Sequence, residues 1–158
     1  MTKFAELLGD KYKQSQKNIR TRTFEIGGHT FKVIIPLVSE SDEIYKRVQT
    51  PPVELVEETF QKMTVSLREF KETEEIEITD TDILVQGKSM REAANNKVAT
   101  EIRITEMIKL LVPENEDNNL DDITYADIEA EFPLSVQLTL IEKISEVISP
   151  TYKESRGN

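Results

Sequence analysis

The chain has no cysteine, no tryptophan and a single histidine, His29, in 158 residues. Without cysteine it can form neither a disulfide framework nor a thiolate site, a composition that suits a reducing compartment. Zinc sites draw mainly on Cys and His, so one histidine leaves little to build one from. Serine-type catalysis needs a base oriented by a third group, and no nucleophile-elbow motif accompanies His29. Long apolar runs are also missing: nothing approaches the roughly 18 consecutive apolar residues of a membrane-crossing helix. At the start, Phe4-Ala5-Glu6-Leu7-Leu8 is a short apolar patch broken by Glu6, not a signal peptide. These absences lead to the expectation of a cytoplasmic protein without chemistry, cofactor or metal of its own.

What is present is charge. Charged residues make up 32% of the chain and hydrophobic residues 37%, enough for one core beneath a polar surface. The net charge of −10 argues against nucleic acid as a partner, because phosphate binding depends on Lys and Arg. The charge is uneven, however. Residues 1–22 hold six basic side chains (Lys3, Lys11, Lys13, Lys17, Arg20, Arg22) against two acids (Glu6, Asp10). Such a basic arm on an acidic body could be a solvated tail, fold back on that body, or bind an acidic partner.

The clearest local pattern is Thr23-Phe24-Glu25-Ile26, then Gly27-Gly28, then His29-Thr30-Phe31-Lys32-Val33-Ile34-Ile35. Two alternating runs around a Gly-Gly turn predict a β-hairpin over 23–35, since glycine supplies the positive φ of the tight hairpin turns. Phe24, Ile26, Phe31 and Val33 share one face, which has to cover helices or a partner. Before the hairpin, residues 1–22 read as a flexible, aperiodic segment. Within it, Phe4, Leu7 and Leu8 have helical spacing and could form one turn that docks on something. The candidate partner-binding residues are therefore Phe4, Leu7, Leu8, Phe24, Ile26, Phe31 and Val33.

Beyond Pro36, helices are expected at about 39–48, 52–71, 89–112, 124–131 and 134–148. The second opens on Pro51-Pro52 and carries Val53, Val56, Phe60, Met63, Leu67 and Phe70, a stripe at helical spacing that reads as the central core helix. The third has Val98, Ile102, Thr105, Ile108 and Leu111 on one side. The last has Leu134, Leu138, Ile141, Ile144 and Ile148. Glu75-Ile76-Glu77-Ile78 alternates ahead of Ile83-Leu84-Val85, giving a second short hairpin around 75–87. The expected fold is mainly α with an N-terminal β-hairpin, α+β in class, as one compact domain over 23–149 with a flexible tail at 150–158.

Two further motifs have plainer explanations. Gly87-Lys88-Ser89 has the setting of a phosphate-binding loop, but that motif needs glycine where Asp82 stands, and small residues where Ile83-Leu84-Val85-Gln86 stand. A tight turn and a serine helix cap account for the same residues. Asp117, Asn119 and Asp121 match the first three ligand positions of a calcium loop. The next key positions hold Asp122 and Ile128 in place of Gly and Glu, which suits a solvated loop.

The hairpin residues 23–33, followed by Leu37 and a charged helix through Ile44, Tyr45 and Arg47, resemble the opening of lambda-type (siphophage) tail assembly chaperones. The resemblance covers about residues 20–70, and beyond them only helical content and acidity. It implies a non-enzymatic protein that binds the tape-measure protein, keeps it soluble and brings in the tail-tube protein. It also implies action in the host cytoplasm and absence from the mature virion; the expectation of no membrane or nucleic-acid partner comes from the apolar pattern and the charge, and a homo-oligomer stays open. Another protein-binding adaptor, an inhibitor of a host factor, or a minor structural phage protein would share this composition.

Overall fold

The computed structural model describes residues 3–69, 75–115 and 117–149. The fold is mainly helical, with two small antiparallel sheets of two and three strands, and the first sheet is the expected N-terminal hairpin. Phe70, the last position of the 53–70 stripe, and the 150–158 tail lie outside the described residues. The chain groups into two compact units. One comprises Met1–Ser41 with Ile104–Asn158, the other Asp42–Arg103.

The first unit begins with helices α1 (Lys3–Leu8) and α2 (Asp10–Arg20), where the sequence suggested an aperiodic lead-in. An apolar stripe is the usual sign of a helix, and α2 has none; what it has is charge in the right order. Asp10 lies in the first turn and Lys17 and Arg20 in the last, which complements the helix dipole. Its end is anchored as well. Arg20 donates through Nε to the Ile35 carbonyl at 2.9 Å and through Nη2 to Glu40 Oε1 at 3.0 Å. The same Glu40 oxygen accepts the Leu37 amide at 2.8 Å.

Strands β1 (Thr21–Ile26) and β2 (His29–Ile34) follow, with Ile26 opposite His29 and Thr21 opposite Ile34. Gly27 and Gly28 both have positive φ, +59° and +82°, which suits a two-residue turn whose twist matches the strands. Phe24 stacks on its cross-strand partner Phe31 at 5.3 Å between ring centroids. The unit closes with the end of α5 (Met90–Ile108), then α6 (Tyr125–Glu131) and α7 (Leu134–Ile148), the last packing across both strands. Its core joins Phe24 and Val33 from the hairpin to Ile104, Met107 and Ile108 of α5, Ile128 of α6, and Leu140, Ile141 and Ile144 of α7.

The α7 stripe is therefore rotated from the expected one. Leu134 and Leu138 face outward, and Gln137 and Leu140 are buried in their place. Gln137 is tolerated there because both ends of its amide are used. It accepts from the Tyr125 hydroxyl at 2.8 Å and donates to the Phe132 carbonyl at 2.8 Å.

The second unit holds most of α3 (Val38–Gln49), all of α4 (Val53–Thr64), a 3₁₀ turn at Leu67–Glu69, and the three-stranded sheet. The strands are β3 (Ile76–Ile78), β4 (Ile83–Val85) and β5 (Lys88–Ser89) in the order β3-β4-β5. A small core of Phe60, Ile83 and Ala94 is supported by Val56, Met63, Leu67, Ile76, Ile78, Val85 and Met90. Helix α4 ends sooner than its stripe predicts. Val53, the stripe's first member, is 79% exposed, so only the middle of the pattern, centred on Phe60, forms core.

Candidate functional site

The seven residues chosen from the sequence separate into two groups. Phe24 is 9% exposed and Val33 fully buried, and Ile26 and Phe31 pack partly buried against the same core. The apolar face of the hairpin thus covers the chain's own helices, one of the two roles the sequence left open for it. Phe4, Leu7 and Leu8 have the opposite placement. Positions i, i+3 and i+4 share one helix face, and here that face of α1 points outward, with Phe4 68%, Leu7 74% and Leu8 48% exposed. Ala5 is the residue of α1 that is buried.

A small helix that buries an alanine and exposes a phenylalanine and two leucines has its apolar side reversed relative to a helix held by its own core. Gly9, at φ +87°, then turns the chain into α2. Lys11, Lys13 and Lys17 follow within two turns, so the exposed apolar face is succeeded at once by positive charge. Ile19, 56% exposed, adds to the apolar surface. Full burial of side chains of this size is worth about 1.5–3 kcal/mol each. Three together could hold a partner without help from any reactive group.

His29 stands at the first position of β2, exposed, with its ring edge-on to Phe31 at 4.6 Å. Among the described residues its ring has no serine or carboxylate partner. Three or more metal-ligating side chains do not come together anywhere among the described residues. None of the described helices is long and apolar enough to cross a membrane.

The Gly87-Lys88-Ser89 segment is a turn and cap. Gln86 and Gly87 have φ of +53° and +78°, reversing the chain between β4 and β5. Ser89 Oγ accepts the Glu92 amide at 3.0 Å, and Asp82 closes the start of α5 from outside. Asp82 Oδ1 accepts the amides of Ile83 (2.7 Å) and Arg91 (3.0 Å), and its Oδ2 accepts the Ser89 hydroxyl at 2.5 Å. Burial alone would raise the Asp82 pKa. The hydrogen bonds from Ser89, Arg91 and Ile83 outweigh it and hold the carboxyl below the ordinary range. Position 82, where a phosphate loop would need glycine, is thus occupied by the carboxylate that caps the helix.

Arg91 completes the arrangement. Its guanidinium lies over the Phe60 ring, 4.1 Å from the centroid, donates to the Thr81 carbonyl at 2.7 Å, and pairs with Glu57. That bond from Arg91, followed by one from Gln61, lowers the Glu57 pKa. A hollow of about 220 Å³ beside these residues is lined by the bonded Glu57, Gln61, Thr81, Asp82 and Arg91 together with Arg68 and Asp80. It reads as architecture.

Two features had weak sequence signals. Thr124 and Asp127 form a reciprocal capping box at α6, visible in outline as Thr-x-x-Asp. The amide and hydroxyl of Thr124 hold the Asp127 carboxyl below its usual range. In the acidic loop expected to be solvated, Asn119 Oδ1 accepts the Asp121 amide at 3.0 Å, and Asn115 Oδ1 that of Asp117 at 3.0 Å. Side chains turned onto their own backbone in this way are common turn chemistry. No family model, curated protein or solved structure matches this chain.

Proposed function

We propose that this protein is a non-enzymatic, cytoplasmic binding protein that captures another polypeptide through the exposed apolar face of α1, and more specifically a tail assembly chaperone of the lambda type. The observation that carries the reading is the outward placement of Phe4, Leu7 and Leu8 on a helix followed directly by lysines. In this reading the apolar face takes up exposed apolar side chains of a long helical partner, the tape-measure protein. The acidic remainder of the chain, within a total of −10, keeps the complex in solution. Recruitment of the tail-tube protein follows, and the chaperone leaves before the particle is finished.

The docking surface differs in one respect from the first expectation. The hairpin residues pack into the core, so of the seven candidates Phe4, Leu7 and Leu8 of α1 are kept as the contact. Co-expression with a tape-measure protein is the test. The soluble fraction of that protein should rise several-fold, and Leu7→Ser with Leu8→Ser should remove most of the gain. If the partner's solubility is the same with and without this chain, the chaperone role fails. If the double variant performs as well as the parent, α1 is not the contact.

A further inference from the structure

The outer edge of β2 has a donor and acceptor pattern that nothing among the described residues completes. A two-residue turn makes Ile26 and His29 the pair that exchanges backbone hydrogen bonds, and alternation extends this to Phe24–Phe31 and Arg22–Val33. The backbone groups of Thr30, Lys32 and Ile34 must then point away from β1. Two contacts agree: the Ile34 amide donates to the Leu110 carbonyl at 2.9 Å, and the Lys32 carbonyl accepts the Val112 amide at 2.8 Å. Residues 110–112 thus begin a third strand, through the bridge between Val33 and Leu111, and go no further. Toward the turn, the Thr30 N–H, the Thr30 carbonyl and the Lys32 N–H have no partner among the described residues.

A groove of about 600 Å³ lies along this edge, with Thr30, Phe31 and Lys32 in its wall. Lys17, Lys32 and Lys109 line it, and among the described residues none of the three forms an ion pair. Glu114 and Asp121 also line it, so among the described residues three ammonium groups face two carboxylates. That is a positive excess on a chain whose total is −10. Phe31, Leu111 and Leu120 add apolar wall.

We propose that this edge takes an extended, acidic segment of a partner protein, added as a strand that continues the position begun by residues 110–112. An alternating N–H, C=O, N–H edge is matched by polypeptide backbone, which gives affinity through main-chain bonds while side chains give selectivity. The lysines select carboxylates, and the apolar wall selects an apolar residue at alternate positions. A nucleic-acid strand would meet the lysines but leave the backbone edge unpaired. The site shares no residue with the α1 face and stands or falls independently of the chaperone reading.

The test uses the full chain and a fluorescein-labelled nonapeptide of alternating Glu and Val, read by fluorescence polarisation. Thr30→Pro removes an outward N–H and no hairpin bond, a placement that edge strands tolerate. It should weaken binding about tenfold, while Thr30→Val, which keeps the N–H, should bind as the parent does. Lys17→Glu with Lys109→Glu should weaken it at least as much, and Leu7→Ser with Leu8→Ser should leave it unchanged. Amide spectra should show the Thr30 and Lys32 resonances shifting on titration in the parent. The proposal is overturned by any of three results: no saturable binding to the parent, equal binding by a folded Thr30→Pro variant, or equal displacement by a Lys-Val peptide or oligothymidylate.

Discussion

Replacing Asp82 with alanine isolates what fixes the start of α5. The side chain accepts three hydrogen bonds, from the Ile83 and Arg91 amides and the Ser89 hydroxyl. Losing a helix-capping acceptor costs about 1 kcal/mol, within a range of about 0.5–2. The other two bonds each add at most about 1 kcal/mol, reduced because Asp82 is only half-buried and water can replace it. The expected destabilisation is therefore about 1–2 kcal/mol. Asp82→Asn retains an oxygen for both amides and loses the charge and the acceptor for the Ser89 hydroxyl, so it should cost about half as much. Urea denaturation gives the midpoints. Amide exchange at Arg91 and Glu92 locates the effect, since the first turn of α5 should open sooner than its middle. A loss below about 0.5 kcal/mol for Asp82→Ala, the ordinary scatter of surface substitutions, would refute the capping role. So would an Asn variant as damaged as the Ala one.

Other expectations follow from the same geometry. Tyr125→Phe removes the hydroxyl that donates to the buried Gln137, leaving an acceptor without its partner, and should cost about 1–3 kcal/mol by chemical denaturation. Gln137→Leu made on top of it should restore part of that loss. Ile104→Ala opens a cavity in the first unit's core and should cost about 2–5 kcal/mol. A cost near zero would mean that the hairpin and α7 are not packed around it. Glu57, Asp82 and Asp127 all have pKa values lowered in the folded chain. A lowered carboxylate pKa contributes stability that is complete above the unfolded value, about 4, and is lost as pH falls through the folded value. The denaturation midpoint should thus be flat between about pH 7 and 5 and fall below about 4, with a smaller acid-side fall in Asp82→Asn.

How much of this was legible beforehand depended on the kind of signal. The hairpin was plain because Gly27-Gly28 and the alternation of Phe24, Ile26, Phe31 and Val33 are local and agree with each other. What lay beneath its apolar face was not, since the packing of α7 is a tertiary fact. The stripe in α7 misled by about one residue. Leu134 and Leu138 satisfy the period, but Gln137, polar in sequence, is the buried one because Tyr125 and Phe132 satisfy its amide. Helix α2 has no apolar stripe, so only the order of its charges, acid first and bases last, could have suggested it. Leu7 and Leu8 share helical spacing with Phe4 in the sequence, yet spacing cannot show which way a face points. The open edge of β2 has no signature in composition, since backbone groups are the same in every residue.

The central claim is that α1 is a contact for another polypeptide. Its most direct measurement is a calorimetric titration of a purified tape-measure fragment into the parent chain and into the Leu7→Ser, Leu8→Ser variant. The account predicts saturable binding with a negative heat-capacity change, the mark of apolar burial. It predicts that the variant, with an unchanged denaturation midpoint, loses most of that binding. Equal affinity and equal heat-capacity change in the two proteins would contradict it.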